Sequence, residues 1–317
     1  MCMDELKAGV AGAGVFGGFH AGKLAGRDDA RLVRVLDADL ARAQALAAGH
    51  GAQGVDDLAA FLDGLDVVVV ASPGVTHAAV ARAALEAGAH VYVEKPLATS
   101  LTDARALVDV AAAMGRVLAV GHQERATFAA MGLFDAGERP ARIDSVRRGV
   151  PNARNRDISC VLDLMVHDLD LALALSGAEP SLVRAEGGFD AVVAEIAFTD
   201  GLVARFEASR VAQARARTMR IEFPSGEVEV DFLAPAFANR SAVALEPGFA
   251  AAAPDPLEAS LSRFLAAARG QGAPLADGRD GLRALALALQ VEGAAGLFHP
   301  GAASSGASGS QMEPARG

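Results

Sequence analysis

The sequence predicts an α/β protein in which a doubly wound parallel sheet comes first and antiparallel strands with helices follow. Three observations support this prediction. Short apolar runs alternate with alanine-rich helical stretches as far as residue 120. Beyond Gly121 the pattern changes to one strong helix and several short segments of alternating polarity. A length of 317 residues also favours two domains over one.

In the first part, five apolar runs have the length and composition of strands. They lie at residues 7–11, 32–36, 67–71, 90–93 and 117–120. Helical patterns lie between them, at residues 16–25, 40–48, 57–62, 77–87 and 101–114. The run of four valines at 67–70 is apolar on both faces, which is typical of a central parallel strand. This alternation predicts βαβ units.

The second part has a different order. A predicted helix at 161–175 ends at Gly177, and two further helices are predicted at 257–268 and 282–295. Strands with hairpin turns are predicted at 182–189, 192–198, 203–208, 218–223 and 227–232. We therefore divide the chain into a dinucleotide-binding domain at 1–121, a substrate-binding and oligomerisation domain at 122–300, and a Gly/Ser/Ala-rich tail at 301–317 that we expect to be disordered.

Composition restricts the possible functions. The net charge of −10 and the isoelectric point of about 5.2 argue against a nucleic-acid-binding surface. The two cysteines, Cys2 and Cys160, do not suggest a structural disulfide. No apolar stretch is long enough to cross a bilayer, and the first residues do not resemble a signal peptide. We expect a cytoplasmic protein without membrane or nucleic-acid partners.

A glycine-rich motif follows the first predicted strand and opens the first predicted helix. Its residues are Gly12, Ala13, Gly14, Val15, Phe16 and Gly17. Such glycines allow a tight turn, close approach of the backbone to a pyrophosphate, and close helix–strand packing, as in a Rossmann fold. Asp37 ends the second predicted strand, where a carboxylate accepts the ribose hydroxyls of NAD and repels the 2′-phosphate of NADP. The sequence thus predicts dinucleotide binding, with NAD favoured over NADP; a solvated acid at a strand end is the alternative for Asp37.

Two further motifs follow strands whose carboxyl ends share one edge of the predicted sheet. Ser72, Pro73 and His77 lie in a loop that can both turn the chain and contact a ligand at this edge. Glu94 and Lys95 precede Pro96, a candidate for a cis peptide bond. The chain has three lysines and 26 arginines, so a lysine at the end of a buried strand suggests a compact cation with an adjustable pKa. The alternative is a lysine that extends to solvent.

Asp163 and His167 lie four residues apart, and hence on one face, in an otherwise apolar predicted helix. Their polarity indicates a functional pair; a buried, hydrogen-bonded histidine is the alternative. A metal site is not predicted, because no third ligand has suitable spacing. Asp168 and Asp170 are expected to be surface acids or helix-packing contacts.

These motifs, in this order, resemble the Gfo/Idh/MocA family of NAD(P)-dependent oxidoreductases. The resemblance covers about residues 6–295 and includes GHQER at 121–125. It implies a Rossmann domain followed by an α/β domain with a large, mostly antiparallel sheet, which in many members forms homodimers or homotetramers. Lys95, Asp163 and His167 match the catalytic positions of the family.

A narrower resemblance, at residues 156–170, 208–211 and 216–222, is to the branch that contains UDP-N-acetylglucosamine 3-dehydrogenases. It implies oxidation of the 3-hydroxyl of a nucleotide sugar. The chain departs from the branch pattern at residues 125–128, near the substrate. A diphosphate would need donors, for which Arg147, Arg154, Arg156 and Arg210 are candidates.

We therefore expect an NAD-dependent dehydrogenase that oxidises a secondary hydroxyl of a sugar or nucleotide sugar. His167 would act as the base, Lys95 would stabilise alkoxide character, and Asp163 would bind substrate or orient the other two. The alternatives are a dehydrogenase of free sugars or inositols, a redox-neutral enzyme that retains NAD, and a catalytically silent NAD-binding sensor on the same fold.

Overall fold

A computed structural model describes residues 5–152, 156–252 and 254–297, in which two sheets form the framework. The predicted tail at 301–317 and Arg154 lie outside these residues. The first sheet is parallel and has six strands in the order β3-β2-β1-β4-β5-β6. These strands are β1 (Leu6–Ala11), β2 (Ala30–Leu36), β3 (Gln53–Val55), β4 (Val67–Val70), β5 (His90–Val93) and β6 (Leu118–Val120).

Helices on both faces of this sheet make it doubly wound, as the sequence predicts. They are α1 (Val15–Ala25), α2 (Leu40–Ala48), α3 (Leu58–Leu62), α4 (His77–Glu86) and α5 (Leu101–Met114). All four valines of β4 are fully buried, because helices cover both of its faces. Since every strand is parallel, all six carboxyl ends lie at one edge, where the loops after β1, β4 and β5 meet.

The second sheet has seven strands in the order β13-β12-β11-β7-β10-β9-β8, and it is antiparallel except where β7 pairs with β10. The α/β fold class with these two sheets is confirmed. The strands are β7 (Arg142–Arg148), β8 (Pro180–Gly188), β9 (Ala191–Phe198), β10 (Val203–Ser209), β11 (Ala216–Phe223), β12 (Gly226–Asp231) and β13 (Ala236–Arg240).

The second part of the chain adds five α-helices in the residues that the structure describes. They are α6 (Glu124–Met131), α7 (Val166–Ser176), α8 (Phe249–Ala252), α9 (Pro256–Ala268) and α10 (Gly278–Ala294). Residues of α9, including Leu261 and Phe264, are buried in the same cluster as β1 and β2. The chain therefore returns to the first sheet near its end, and the division at residue 121 stays a prediction.

Several elements were not predicted from the sequence: β3, β7, β13, α6 and α8. Strand β3 has three residues, one of which is Gly54. A Cβ at Gly54 would lie 2.3 Å from a backbone atom of α2, so the strand packs closely against that helix and lacks the alternating side chains by which a strand is predicted. In β7, Ile143, Ser145 and Arg147 point inward, and this polar inner face conceals the alternation. Within the described residues, no helix is both long and apolar enough to cross a membrane.

Candidate active site

The glycine motif between β1 and α1 forms a cradle in which each glycine has a separate reason to lack a side chain. Gly12 has φ +108°, and a Cβ there would lie 2.6 Å from the backbone of Ala71. A Cβ at Gly17 would lie 1.7 Å from the carbonyl oxygen of Gly12, so this glycine lets α1 pack against the loop. Gly14 faces open space and begins α1 without a side-chain cap. The free N–H groups there suit a pyrophosphate.

Asp37 connects this cradle to the end of β2. Its Oδ2 accepts a hydrogen bond from the backbone N–H of Ala13 at 2.8 Å. Its Oδ1 accepts from the N–H of Asp39 at 2.9 Å and from the guanidinium of Arg42 at 2.9 Å. A carboxylate has about four acceptor sites, so these three donors leave capacity for a ribose hydroxyl.

The cradle opens into a cleft of about 410 Å³ at the carboxyl edge of the first sheet. Of the residues that we predicted to bind the cofactor, only Gly17 does not line it, because Gly17 packs behind the loop. The predicted residues that line the cleft are Gly12, Gly14, Val15, Phe16, Asp37, Ser72, Pro73, His77, Glu94 and Lys95.

His77 contacts two of the loops that line the cleft. Its Nε2 lies 2.9 Å from the carbonyl oxygen of Ser72, and its Nδ1 lies 2.7 Å from that of Pro96. The ring is 2% exposed, and burial lowers its pKa. His77 thus ties the loop after β4 to the loop after β5. The Lys95–Pro96 peptide bond is cis, as the sequence suggested.

Lys95, which lines the cleft, contacts Asp163. The Lys95 ammonium donates to the backbone carbonyl of Asp163 at 2.6 Å and to its Oδ1 at 3.2 Å. Asp163 lies in a π-helical turn, Val161–Met165, which precedes α7 where the sequence predicted an α-helix throughout. Such turns are frequent at functional sites. Nη1 of Arg210 lies 3.8 Å from Oδ2 of Asp163, so the carboxylate lies between two cations.

His167 follows in the first turn of α7 and contacts Glu124, a carboxylate that was not among the predicted site residues. Its Nδ1 lies 2.8 Å from Oε2 of Glu124, at the start of α6. The other oxygen of Glu124 accepts from Arg147 at 2.9 Å. Burial lowers the pKa of His167, whereas Glu124 raises it. The pKa of Glu124 is held well below its usual range by His167 and Arg147, although burial acts in the opposite direction.

Arg125 and Asp170 form a second buried ion pair. Arg125 donates to both oxygens of Asp170, at 2.8 and 2.7 Å. Nδ1 of His122 lies 3.8 Å from Asp170, and burial lowers the pKa of His122 to about 4. Asp168 and Asp170 are 2% and 1% exposed, so the surface alternative for them was wrong. The sequence signal that could have predicted these buried pairs is the presence of Asp168 and Asp170 in an otherwise apolar helix.

Three of the four arginines proposed as phosphate donors lie in the described residues, and their surroundings differ. Arg147 donates to both oxygens of Asp168, at 3.0 and 2.7 Å, and its side chain is 2% exposed, which does not suit a phosphate donor. Arg210 donates to Asp190 at 2.7 Å. Arg156 lines a separate cleft with Arg210 and donates to the carbonyl of Asn152 at 3.3 Å.

A further cleft of about 400 Å³ has Glu124 in its wall. Its walls combine aromatic rings with two cations, Lys23 and Arg217. Phe16 lines both this cleft and the cofactor cleft, so the two are neighbours. The other lining residues are Phe19, Gln123, Glu124, Thr127, Phe232, Asp255, Pro256 and Leu257.

Two other chemistries have little support. Among the described residues, no group of three or more histidine, cysteine or acidic side chains is placed to hold a metal. Cys160 is buried just before the π-helical turn, and burial raises the pKa of its thiol to about 12, which disfavours the nucleophilic thiolate.

Comparison with known proteins gives concordant results. The model of the GFO_IDH_MocA oxidoreductase family, with its NAD-binding Rossmann fold, matches residues 6–122. UDP-N-acetylglucosamine 3-dehydrogenase of Acidithiobacillus ferrooxidans is 36% identical, over 93% of this chain and 99% of its own length. A solved structure of that enzyme has a TM-score of 0.84, covering 92% of this chain and 98% of the other. Inositol 2-dehydrogenase of Rhizobium meliloti is 32% identical over 57% of this chain and 58% of its own length.

Proposed function

Because the chain belongs to the Gfo/Idh/MocA family of NAD-binding oxidoreductases, we propose that it oxidises the 3-hydroxyl of UDP-N-acetylglucosamine to a ketone with NAD. The single observation that carries this proposal is the extent of the similarity to the Acidithiobacillus enzyme. It covers 93% of this chain and therefore includes the second sheet, the π-helical turn and α7, which provide Arg217, Asp163 and His167 respectively. Cofactor binding alone would need only the first sheet.

The cofactor cleft fits a dinucleotide. Gly14 leaves the N-terminus of α1 open to a pyrophosphate, and Asp37 retains acceptor capacity for the adenosine ribose. Glu94 and Lys95 line the end of the cleft that lies towards His167 and would border the nicotinamide. When bound, NAD supplies a hydride acceptor beside the sugar carbon.

His167 is the base in this proposal. The ionised Glu124 at 2.8 Å favours a proton on Nδ1, which leaves the lone pair on Nε2, where it can take the hydroxyl proton as the hydride leaves the same carbon. Glu124 also stabilises the imidazolium that then forms, which is the role of the carboxylate beside a catalytic histidine.

Lys95 and Asp163 act on the reacting oxygen. The compact Lys95 ammonium, fixed by the carbonyl of Asp163, stabilises the negative charge that develops on the sugar oxygen. The Asp163 carboxylate orients this ammonium and can accept a hydrogen bond from a neighbouring sugar hydroxyl.

We further propose that the protein is a cytoplasmic homodimer or homotetramer that associates through the outer face of the second sheet. The inner face packs under the helices, whereas the outer face carries Arg142 and Arg220, which both donate to Asp144. A large sheet face that no described element covers suits a self-complementary interface.

Turnover on a substrate panel tests the proposal. NADH formation would be followed with UDP-N-acetylglucosamine, other nucleotide sugars, free sugars and inositols, with a coupled aminotransferase to remove the ketone. We expect turnover with the UDP sugar. Turnover with inositol alone would instead support the function of the Rhizobium relative and contradict the nucleotide-sugar assignment.

A further inference from the structure

Arg217 differs from the arginines around it. It is half-buried on β11, and no carboxylate of the described residues lies within ion-pair distance of its guanidinium. In the register of the second sheet it lies directly opposite Arg147 on β7. Two like charges at such a position repel each other unless other charges compensate them.

The carboxylates near these two arginines already form ion pairs with Arg147. Asp168 accepts two hydrogen bonds from Arg147, and Glu124 contacts both Arg147 and His167. Burial and the charge of Arg147 lower the pKa of Arg217, and the more distant charge of Glu124 opposes them. A half-buried cation without a close counter-charge is unfavourable, and a bound anion would stabilise it.

The position of Arg217 relative to the reacting groups suits an anionic part of the substrate. Arg217 lines the 400 Å³ cleft, whose wall also includes Glu124, and Glu124 contacts the proposed base His167 at 2.8 Å. Lys23, the other cation of the cleft, forms an ion pair with Asp255. Phe19 contributes an exposed aromatic ring at the same cleft, which suits a flat base.

We propose that Arg217 binds a phosphate of the substrate's diphosphate in the cleft lined by Phe16, Phe19 and Phe232. This inference rests on the proposed function and adds to it the residue and the cleft that recognise the nucleotide part. A guanidinium binds phosphate through paired hydrogen bonds, so Arg217 would give nucleotide sugars an advantage over neutral sugars.

Binding of UDP to the NADH-saturated enzyme tests this site, because NADH occupies the dinucleotide cleft. By titration calorimetry we expect Arg217→Met to weaken UDP binding by at least about tenfold, the loss of a charge-assisted hydrogen bond. Arg215→Met is the matched control, because it removes an exposed positive charge two residues away; we expect less than about a twofold change. NADH binding by each variant verifies that the fold is intact.

The outcomes separate this inference from the proposed function. If the wild type binds UDP and Arg217→Met binds it equally well, the site is wrong while the function stands. If Arg156→Met loses UDP binding and Arg217→Met does not, the phosphate binds in the cleft lined by Arg156, and the proposed site at Arg217 is wrong. If the wild type does not bind UDP at all but oxidises a neutral sugar, both the site and the nucleotide-sugar assignment fail.

Kinetics give a second readout. With UDP-N-acetylglucosamine, Arg217→Met should raise KM by at least about tenfold and leave kcat within a few-fold, because the phosphate lies away from the reacting carbon. An equal fall in kcat at unchanged KM would contradict a role in binding the substrate.

Discussion

The cofactor side and the substrate side of the proposed active site are built differently. On the cofactor side, glycines and short loops bring backbone N–H groups and one carboxylate, Asp37, to the edge of a parallel sheet. On the substrate side, buried ion pairs lie around the proposed base: Glu124 lies between Arg147 and His167, and Arg125 donates to Asp170. One side relies on backbone shape, and the other on charges removed from water.

This difference has a consequence for sensitivity to substitution. A backbone cradle binds any dinucleotide of the right shape, so losing one side chain there changes affinity and preference moderately. A buried charge that loses its partner stays buried and unpaired, which costs about 3–5 kcal/mol. We therefore expect large effects on rate and stability on the substrate side and smaller effects on the cofactor side.

Lys95→Met should have the largest effect on rate. Removing the ammonium beside the reacting oxygen should lower kcat by about 10³-fold, whereas affinity for NADH should change by less than about threefold. Steady-state kinetics and NADH titration would measure the two quantities. Lys7→Met, at an exposed position on β1, is the control. A variant at Lys95 with nearly wild-type kcat would remove this residue from the mechanism.

Arg125→Met should have the largest effect on stability. It leaves Asp170 buried without its partner, and we expect urea unfolding to show a loss of about 3 kcal/mol. Arg82→Met, which breaks an exposed pair with Glu86 on α4, should cost less than about 1 kcal/mol. Equal losses in the two variants would contradict the view that burial makes the ion pairs important.

Glu124→Gln should affect rate and pH dependence together. We expect kcat to fall by about 10²-fold, because the imidazolium of His167 loses its carboxylate. Since Glu124 raises the pKa of His167, its loss lowers that pKa. The base must be neutral, so the acid limb of kcat/KM should move to lower pH. Asp255→Asn, a carboxylate of the same cleft paired with Lys23, should not move this limb; a shift to higher pH in Glu124→Gln would contradict the assignment.

Asp37→Ser should have the smallest effect. We expect KM for NAD to rise by about tenfold and the preference for NAD over NADP to fall, because the carboxylate that repels a 2′-phosphate is removed and Arg42 keeps only its contact with Asp39. Asp39→Ser is a matched control, because serine can still cap α2 and position 39 does not line the cleft. An unchanged ratio of the two cofactors would show that Asp37 acts only through its contact with Ala13.

Local patterns in the sequence were sufficient to predict the features of the cleft that depend on local geometry. The glycine motif, the end of β5 and the spacing of Asp163 and His167 are each contained within six residues or fewer, so periodicity and turn chemistry reveal them. The neighbourhood of Lys95 and Asp163 also followed, because strand ends meet at one sheet edge.

The buried network could not be predicted in the same way. Arg125 and Asp170 are 45 positions apart, and Arg147 and Asp168 are 21 apart, so pairing depends on how α6, β7 and α7 pack. The chain has 26 arginines, so the sequence alone did not single out Arg125 and Arg147 as the two that form these buried pairs. For the same reason Arg217 was not a candidate until the structure showed which carboxylates were already paired.

The most direct test of the central claim is the fate of the hydrogen on C3 of UDP-N-acetylglucosamine. With substrate deuterated at C3, the reaction with NAD should transfer the label to the reduced cofactor and proceed more slowly than with unlabelled substrate. Label that stays in the sugar or appears in water, or an absence of turnover, would contradict oxidation of the 3-hydroxyl by hydride transfer.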